Sequence, residues 1–365
     1  MKTRNRSVII WMLSLILMVS GLVNVPTVTL NAADASDEAG VNLEVHFIDV
    51  GQADCILAKS GSSAMLIDAG NNDDADTIIS YLEDQGIQNL EYVIGTHPHE
   101  DHIGSMDSVI EHFNVENVLM PDKAHTSKSF EDVLTAVDEK GLSVTIPEPG
   151  QKYELGSAVF TILAPNRDYG DELNDWSVGI RLVNGENSFI MCGDAEAEAE
   201  QDIIAGQPDI ASNVYKVNHH GSDTSSTAEF LDAVNPEYAV ISCGRDNSYG
   251  HPTPSTLEKL RDRNIQVFRT DEQGTVVAVS DGKEVVWGTS ANTSMLQGKA
   301  EQGDGEGEAA SSDDGSQATI VHITKTGEKY HSAGCQYLKK SDIEISLEDA
   351  KASGYTPCSK CSPPQ

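Results

Sequence analysis

The chain has 365 residues, enough for one large domain and something small beside it. Aspartate and glutamate total 58 against 24 lysines and arginines, a formal net charge of -34. Such a surface repels nucleic acid unless metals or a local basic patch offset it. This excludes a tight, nonspecific polyanion binder and leaves room for an enzyme that meets a polyanion only at a metal centre.

Residues 1–35 read as a secretory signal peptide. Lys2, Arg4 and Arg6 make a basic start, residues 8–23 are apolar, and Asn31-Ala32-Ala33 with Ala35 offers small residues for cleavage. An uncleaved anchor is the other reading, although the apolar run is short for a comfortable span. No cysteine lies near the cleavage region, which argues against lipidation, and nothing after residue 40 has the pattern of a membrane span. The expected location is therefore extracellular or at the cell surface, without a stable span once the signal is removed. No obligate protein partner is evident.

Residues 41–50 and 55–58 are predicted strands around a turn at Gly51-Gln52, and residues 64–67 a third strand. Residues 75–85 have helical spacing and stop at Gly86; residues 92–95 form a strand leading into a polar loop. Helices are expected at 105–113, 129–140, 195–205, 227–233 and 254–263. Strands are expected at 118–120, 144–146, 153–155, 158–164, 177–183, 188–192, 213–217 and 238–242. The alternation suits an α/β or α+β layered domain. Residues 291–317 turn to Gly, Glu, Asp, Ser, Gln and Ala, the composition of a flexible acidic linker. The expected organisation is a signal at 1–35, a hydrolase domain at 42–290, that linker, and a small module at 318–365.

The densest chemistry lies in Thr96-His97-Pro98-His99-Glu100-Asp101-His102. Three imidazoles and the Asp101 carboxylate within six positions are ligands that zinc, manganese and iron accept. They follow the apolar run 90–94 and precede Gly104, so a strand ending in a tight loop converges them on one point. A solvated polar loop is the alternative. Met65-Leu66-Ile67-Asp68 and Phe189-Ile190-Met191-Cys192-Gly193-Asp194 are further strands ending in aspartates.

The His-x-His-x-Asp-His pattern, with these two aspartates in order, resembles the metallo-β-lactamase superfamily. His46 to Asp54, His219-His220-Gly221-Ser222 and Tyr249-Gly250-His251-Pro252 narrow the resemblance to the ComEC type, the hydrolase domain of competence DNA-uptake channels and its stand-alone secreted relatives. The resemblance covers about residues 42 to 290. It implies a four-layer αββα sandwich holding two divalent metal ions, zinc or manganese. His97 and His99 would hold one ion, Asp101 and His102 the other, and Asp194 would bridge them. The superfamily usually supplies another His between these motifs, but only His112 and His125 fall there, and neither is placed as a ligand. His219, His220 and His251 are the candidates to complete the shells. Asp101, Asp194 and His251 are placed in the catalytic centre. Asp68 fits a supporting role, accepting a ligand His N–H; Asp49 and Asp54 are further candidates for that role, and both are alternatively turn caps around Gly51. Asn174, Ser177, Ser222 and Asn247 are candidate substrate contacts or loop hydrogen bonders. Gly193, Gly221 and Gly250 are expected to let backbone approach the metals. The implied mechanism is attack of a metal-bound hydroxide on phosphorus or a carbonyl carbon.

Cys55, Cys192 and Cys243 lie in the large domain, an odd number, so this is not a disulfide framework; Cys192 and Cys243 end apolar runs and read as small core residues. At the end of the chain, His331, Cys335, Cys358 and Cys361 form a structural zinc set. The module resembles metal-binding modules of the Ada type. One disulfide and a free thiol is the alternative. Its basic residues, among them Lys325, Lys339, Lys340 and Lys351, could tether the protein to DNA or wall polymer.

The leading expectation is a secreted phosphodiesterase, a nuclease acting on extracellular DNA. A phosphoester hydrolase of cell-wall polymer, like the phosphorylcholine esterases of teichoic acid, is the second. A non-catalytic surface-binding protein is the third, and the complete set of His97, His99, Asp101, His102 and Asp194 argues against it.

Overall fold

A computed structural model describes residues 42–206, 209–292 and 294, and, nearer the C-terminus, 320–324, 329–332, 335–338, 343–346, 351, 356–358, 360 and 361. The expected signal segment, most of the acidic linker and the basic residues Lys325, Lys339 and Lys340 lie outside the described residues. Contacts divide the chain into two units, Met1–Gln302 and Gly303–Gln365.

In the first unit the strands are β1 (Leu43–Phe47), β2 (Ile56–Ser60), β3 (Ser63–Ile67), β4 (Asn89–Ile94), β5 (Asn114–Leu119), β6 (Val144–Thr145), β7 (Lys152–Leu155), β8 (Ala158–Ala164), β9 (Gly179–Asn184), β10 (Asn187–Met191), β11 (Val214–Lys216), β12 (Tyr238–Ile241), β13 (Gln266–Arg269), β14 (Val276–Ser280) and β15 (Val285–Trp287). They form an eight-stranded sheet ordered β15-β14-β1-β2-β3-β4-β5-β6 and a seven-stranded sheet ordered β13-β12-β11-β10-β9-β8-β7. The two-residue period of a strand sorts side chains into different layers. On β1, Leu43, Val45 and Phe47 enter the core between the sheets. On β3, Met65 and Ile67 join that core, while Ala64 and Leu66 face helices Ala75–Asp84, Met106–His112 and Lys128–Glu139 on the outer side. On β10, Phe189 and Met191 turn inward and Ile190 turns outward, into the core beneath helices Ala197–Gly206, Ala228–Val234 and Pro254–Asp262. Three apolar cores therefore separate four layers, helix, sheet, sheet, helix, which is the αββα sandwich.

Strands β13, β14 and β15 are additions to the periodicity reading, which assigns nothing after the helix ending near Arg263. β14 lies beside β1 and pairs it antiparallel from Leu43↔Ser280 to Phe47↔Val276. The large unit also runs slightly past 290: the Asn292 N–H donates to the Val267 carbonyl at 2.6 Å. Asn292, expected within the linker, is thus tied to β13. Cys55, Cys192 and Cys243 are buried thiols in the core, and all six cysteines are free.

Within the second unit, β16 (Ile320–Ile323) pairs antiparallel with β18 (Ile343–Ser346), and β17 (Lys329–Tyr330) runs parallel to β19 (Thr356–Pro357). Among the described residues no helix is long and apolar enough to cross a membrane.

Candidate metal centre

The parallel strands set the site. β3 and β4 run parallel in one sheet, and β10, β11 and β12 run parallel in the other. Loops leaving the carboxyl ends of such strands gather at one edge of a sheet, the usual place for ligands in α/β architectures. Asp68 follows β3, the His97–His102 segment follows β4, Asp194 follows β10, His219 and His220 follow β11, and His251 lies in the loop after β12.

Asp101, His102, Asp194 and His220 each turn one ligand atom inward, all within 4.8 Å of one another. His102 Nε2 lies 3.2 Å from Asp194 Oδ2 and 3.9 Å from Asp101 Oδ2. His220 Nε2 lies 3.4 Å from Asp101 Oδ2 and 3.6 Å from Asp194 Oδ2. Ligands about 2.1 Å from a tetrahedral ion stand about 3.4 Å apart, so these spacings match donors around one cation. His102 Nε2, His220 Nε2 and Asp194 Oδ1 are buried and hydrogen-bond to nothing among the described residues, which is costly unless an ion takes their lone pairs. Beside this group, His97 Nε2 and His99 Nδ1 are 2.9 Å apart, and His219 Nε2 lies 3.7 Å from Asp194 Oδ2. These residues would fit a second ion beside the first. The sequence left open which of His219 and His220 is a ligand; both bring Nε2 close to Asp194 Oδ2, at 3.7 and 3.6 Å. The His251 ring stands 5.5 Å from that of His219 and lines the cavity outside the four-donor group.

Supporting contacts set which nitrogen each imidazole presents. His102 Nδ1–H donates to Asp68 Oδ2 at 2.8 Å, leaving Nε2 toward the centre. Asp68 also accepts the Thr96 N–H and hydroxyl, each at 2.8 Å. His97 Nδ1 is flanked by the hydroxyls of Thr96 at 3.2 Å and Ser177 at 3.3 Å. His220 Nδ1–H donates to the Ser242 carbonyl at 3.0 Å. Burial alone would raise the Asp101 and Asp194 carboxyls, but attraction to His102 and His220 outweighs it and holds both below the usual carboxylate range. Burial keeps His97 well below the usual histidine value. His102 is pulled the other way, raised against the effect of burial by Asp194, Asp68 and Asp101. The donor set is therefore two ionised carboxylates and imidazoles held close, a chemistry suited to divalent cations.

Several sequence candidates take one of the two roles left open to them, and the expectation for two glycines needs correction. Asp49 is exposed; its Oδ1 accepts the Gly51 N–H at 3.2 Å and its own N–H donates to Thr275, so it caps a turn and contacts no ligand among the described residues. Ser222 is buried, its hydroxyl 3.0 Å from that of Thr224, which secures the His219–His220 turn instead of facing substrate. Ser177 likewise accepts the Asp194 N–H at 3.1 Å, and Asn247 ties its own loop together. Asn174 does line the cavity and donates to Glu196 at 3.0 Å. Gly193 and Gly221 meet protein, not the donor cluster: an added Cβ would lie 2.8 Å from Thr96 Cβ and 2.6 Å from Pro252 Cβ respectively. His112 pairs with Glu83 on the surface at 2.9 Å, and His125 Nδ1 accepts the Ser127 N–H.

Asp54, a sequence candidate for a supporting role, takes it: it forms a buried ion pair at 2.7 Å with Lys216 directly behind His220, and its Oδ1 lies 3.5 Å from His220 Nδ1. Lys216 and Glu196 escaped the sequence reading. A lone cation inside the apolar run Val214-Tyr215-Lys216-Val217 was the available signal. Glu196 sits 3.1 Å from His219 Nδ1, and nothing in its local sequence announces that. The cavity over the centre, about 470 Å³, is also lined by Gln52, Asn71, Glu100 and Tyr249.

In the C-terminal unit, His331, Cys335, Cys358 and Cys361 likewise bring four ligand atoms within 4.8 Å. Backbone N–H groups of Ser332 and Lys360 point at Cys361 Sγ and Cys358 Sγ at 3.4 and 3.5 Å, contacts that favour thiolates. The three sulfurs are free, so the alternative of a disulfide is not what the structure contains.

The family model described as Metallo-beta-lactamase superfamily matches residues 48–245. ComE operon protein 3 of Bacillus subtilis (strain 168) is 31% identical over 251 residues, covering 64% of this chain and 32% of that protein. Competence protein ComA of Neisseria gonorrhoeae is 28% identical over 236 residues, 62% of this chain and 30% of that one. Recombination protein 2 of Haemophilus influenzae (strain ATCC 51907 / DSM 11121 / KW20 / Rd) is 29% identical over 238 residues, 64% and 28% respectively. The chain thus spans about a third of the length of the curated relatives it matches.

Proposed function

The chain belongs to the metallo-beta-lactamase superfamily, and on that footing we propose that it is an exported, dinuclear-metal phosphodiesterase whose substrate is DNA outside the cell. The observation that carries the reading is the convergence of Asp101, His102, Asp194 and His220, with His97, His99 and His219 beside them. The names of two relatives, a competence protein and a recombination protein, support DNA as the polymer. The basic run at Lys2, Arg4 and Arg6 followed by an apolar stretch supports export.

Two divalent ions held there supply Lewis acidity toward a phosphoryl oxygen and a water activated near neutral pH. The chain contributes the rest. Asp68 and the Ser242 carbonyl fix His102 and His220 with Nε2 inward. Thr96 and Ser177 hold His97, and Glu196 holds His219. Rigid placement of ligands lets the centre favour one geometry of attack at the phosphorus. No Ser or Cys nucleophile is required, and the cysteines of this unit are buried in its core.

The test mixes mature protein, loaded in turn with zinc and manganese, with end-labelled linear DNA, using Asp101→Asn as control. Metal-dependent digestion absent from the control is the expected result. Its absence under both metals would move the assignment to phosphoesters of cell-wall polymer.

A further inference from the structure

Tyr249 is the most exposed large apolar side chain among the described residues, 68% accessible, yet it lines the cavity of the metal centre. Its ring lies over His251 with centroids 5.8 Å apart and planes 27° from parallel. One face is thus backed by an imidazole while the ring remains open to solvent. The loop carrying it is firmly held. Asn247 Oδ1 accepts the N–H groups of Tyr249 at 3.2 Å and His251 at 3.0 Å, and Asn247 Nδ2 donates to the Gly244 carbonyl at 2.9 Å. A single exposed aromatic ring is ordinary on a protein surface; this one is held by a braced loop and lines the polar cavity of the metal centre.

The charges around the cavity sharpen the point. No Lys or Arg lines it among the described residues, and Glu100 adds a carboxylate to the rim. Proteins that take single-stranded nucleic acid combine a cationic track for the phosphates with aromatic platforms for the bases. Here the track is missing and a platform is present. Apart from the ions and the amides of Gln52, Asn71 and Asn174, the described cavity lining offers a polyanion a π-face in place of side-chain cations.

We propose that Tyr249 is a nucleobase-stacking subsite, which makes the substrate an unpaired nucleotide segment whose phosphodiester reaches the metals while a neighbouring base lies on the Tyr249 ring. This rests on the phosphodiesterase reading and narrows its substrate to base-bearing single strands. The ring acts in binding, so its loss is expressed in KM, and the phenol hydroxyl is dispensable.

The experiment measures kcat and KM of the metal-loaded full chain, and of Tyr249→Ala and Tyr249→Phe, on a single-stranded oligodeoxynucleotide and on the same oligomer built wholly of abasic sites. Stacking of one base predicts that Tyr249→Ala raises KM on the base-bearing strand by about 5- to 150-fold. Tyr249→Phe should stay close to the parent, and the abasic strand should show no difference among the three proteins. Equal losses on both strands would mean that Tyr249 merely braces His251, and the inference fails. It fails equally if the parent cleaves both strands with the same KM, although the phosphodiesterase reading then stands. A parent that cleaves neither strand under zinc or manganese removes the inference, and removes the phosphodiesterase reading as well if linear duplex DNA is also left intact.

Discussion

Lys216 and Asp54 stand 162 positions apart, and both are fully enclosed where their charges meet. Asp54 also donates its N–H to the Asp101 carbonyl at 3.1 Å, and its carbonyl accepts the Gly70 N–H at 2.9 Å. One residue thus links the metal-loop backbone, the turn after β3, and the rear of His220. Removing a single member of a buried pair strands the other charge, at about 3–5 kcal/mol. Lys216→Met should lose that much stability in chemical denaturation and weaken metal binding about 10- to 100-fold through His220. The Lys216→Met, Asp54→Asn double variant should recover most of the stability, since no net charge remains buried. A double variant as unstable as the single one would show that packing, not charge, is at stake. The local sequence singles out Asp54 and a lone cation in an apolar run, but not that the two meet. His97 to His102 could be found because four donors fall in one loop, whereas Asp54 meets Lys216 only after two sheets close.

Among the elements, the turn after β11 departs furthest from expectation. His219 and His220 both adopt left-handed conformations, φ 49° and 54°, and Gly221 follows at φ 88°. Consecutive non-glycine residues in that region are strained, and such strain persists only where the surroundings impose it. Here Glu200 accepts the N–H groups of Ser226 at 2.6 Å and Thr227 at 2.8 Å, and binds Asn218 at 2.9 Å, gripping the turn on both flanks. Gly221→Ala would add a strained backbone and a Cβ 2.6 Å from Pro252 Cβ, pushing the His251 loop away from the His219–His220 turn. We expect a stability loss of at least about 1–3 kcal/mol, with impaired metal binding. Gly86→Ala, at φ 74° with open space around it, supplies the control: strain alone, and metal affinity kept. Most strands and helices up to Asp262 follow from the sequence pattern, the helices from their one buried face and central strands such as β10, buried on both faces, from continuous apolar runs. The turn does not, because histidine gives no advance sign of a left-handed backbone. β14 carries the run Val276-Val277-Ala278-Val279, readable as a strand, but its place beside β1 is a matter of topology.

At the scale of the whole molecule, a formal charge of -34 opposes the approach of any polyanion. Added salt screens that repulsion. For DNA as substrate, kcat/KM at saturating metal should therefore rise with ionic strength at first, the reverse of a nuclease with a basic groove. A steep fall from the lowest salt would reveal a cationic surface that the cavity lining lacks. The second unit predicts its own signature. In zinc-loaded protein Cys335, Cys358 and Cys361 should resist a thiol reagent under native conditions, and a strong chelator should expose these three while Cys55, Cys192 and Cys243 stay shielded in the core. Unchanged reactivity after chelation would remove the metal from that unit.

The donors of the main centre are divided between the sheets. His97, His99, Asp101 and His102 arrive with the first, and Asp194, His219, His220 and His251 with the second. Neither half owns a complete coordination set, so an ion bound here adds a fastening between two slabs of protein that also adhere through the apolar core between them and through polar contacts such as the Asp54–Lys216 pair. Occupancy and closure are then one equilibrium, and every increment of free cation adds to the work needed to pry the slabs apart. It follows that the cation is selected where the chain closes. Since ligands of this kind accept several divalent metals, the supply at that place and moment decides which one is locked in.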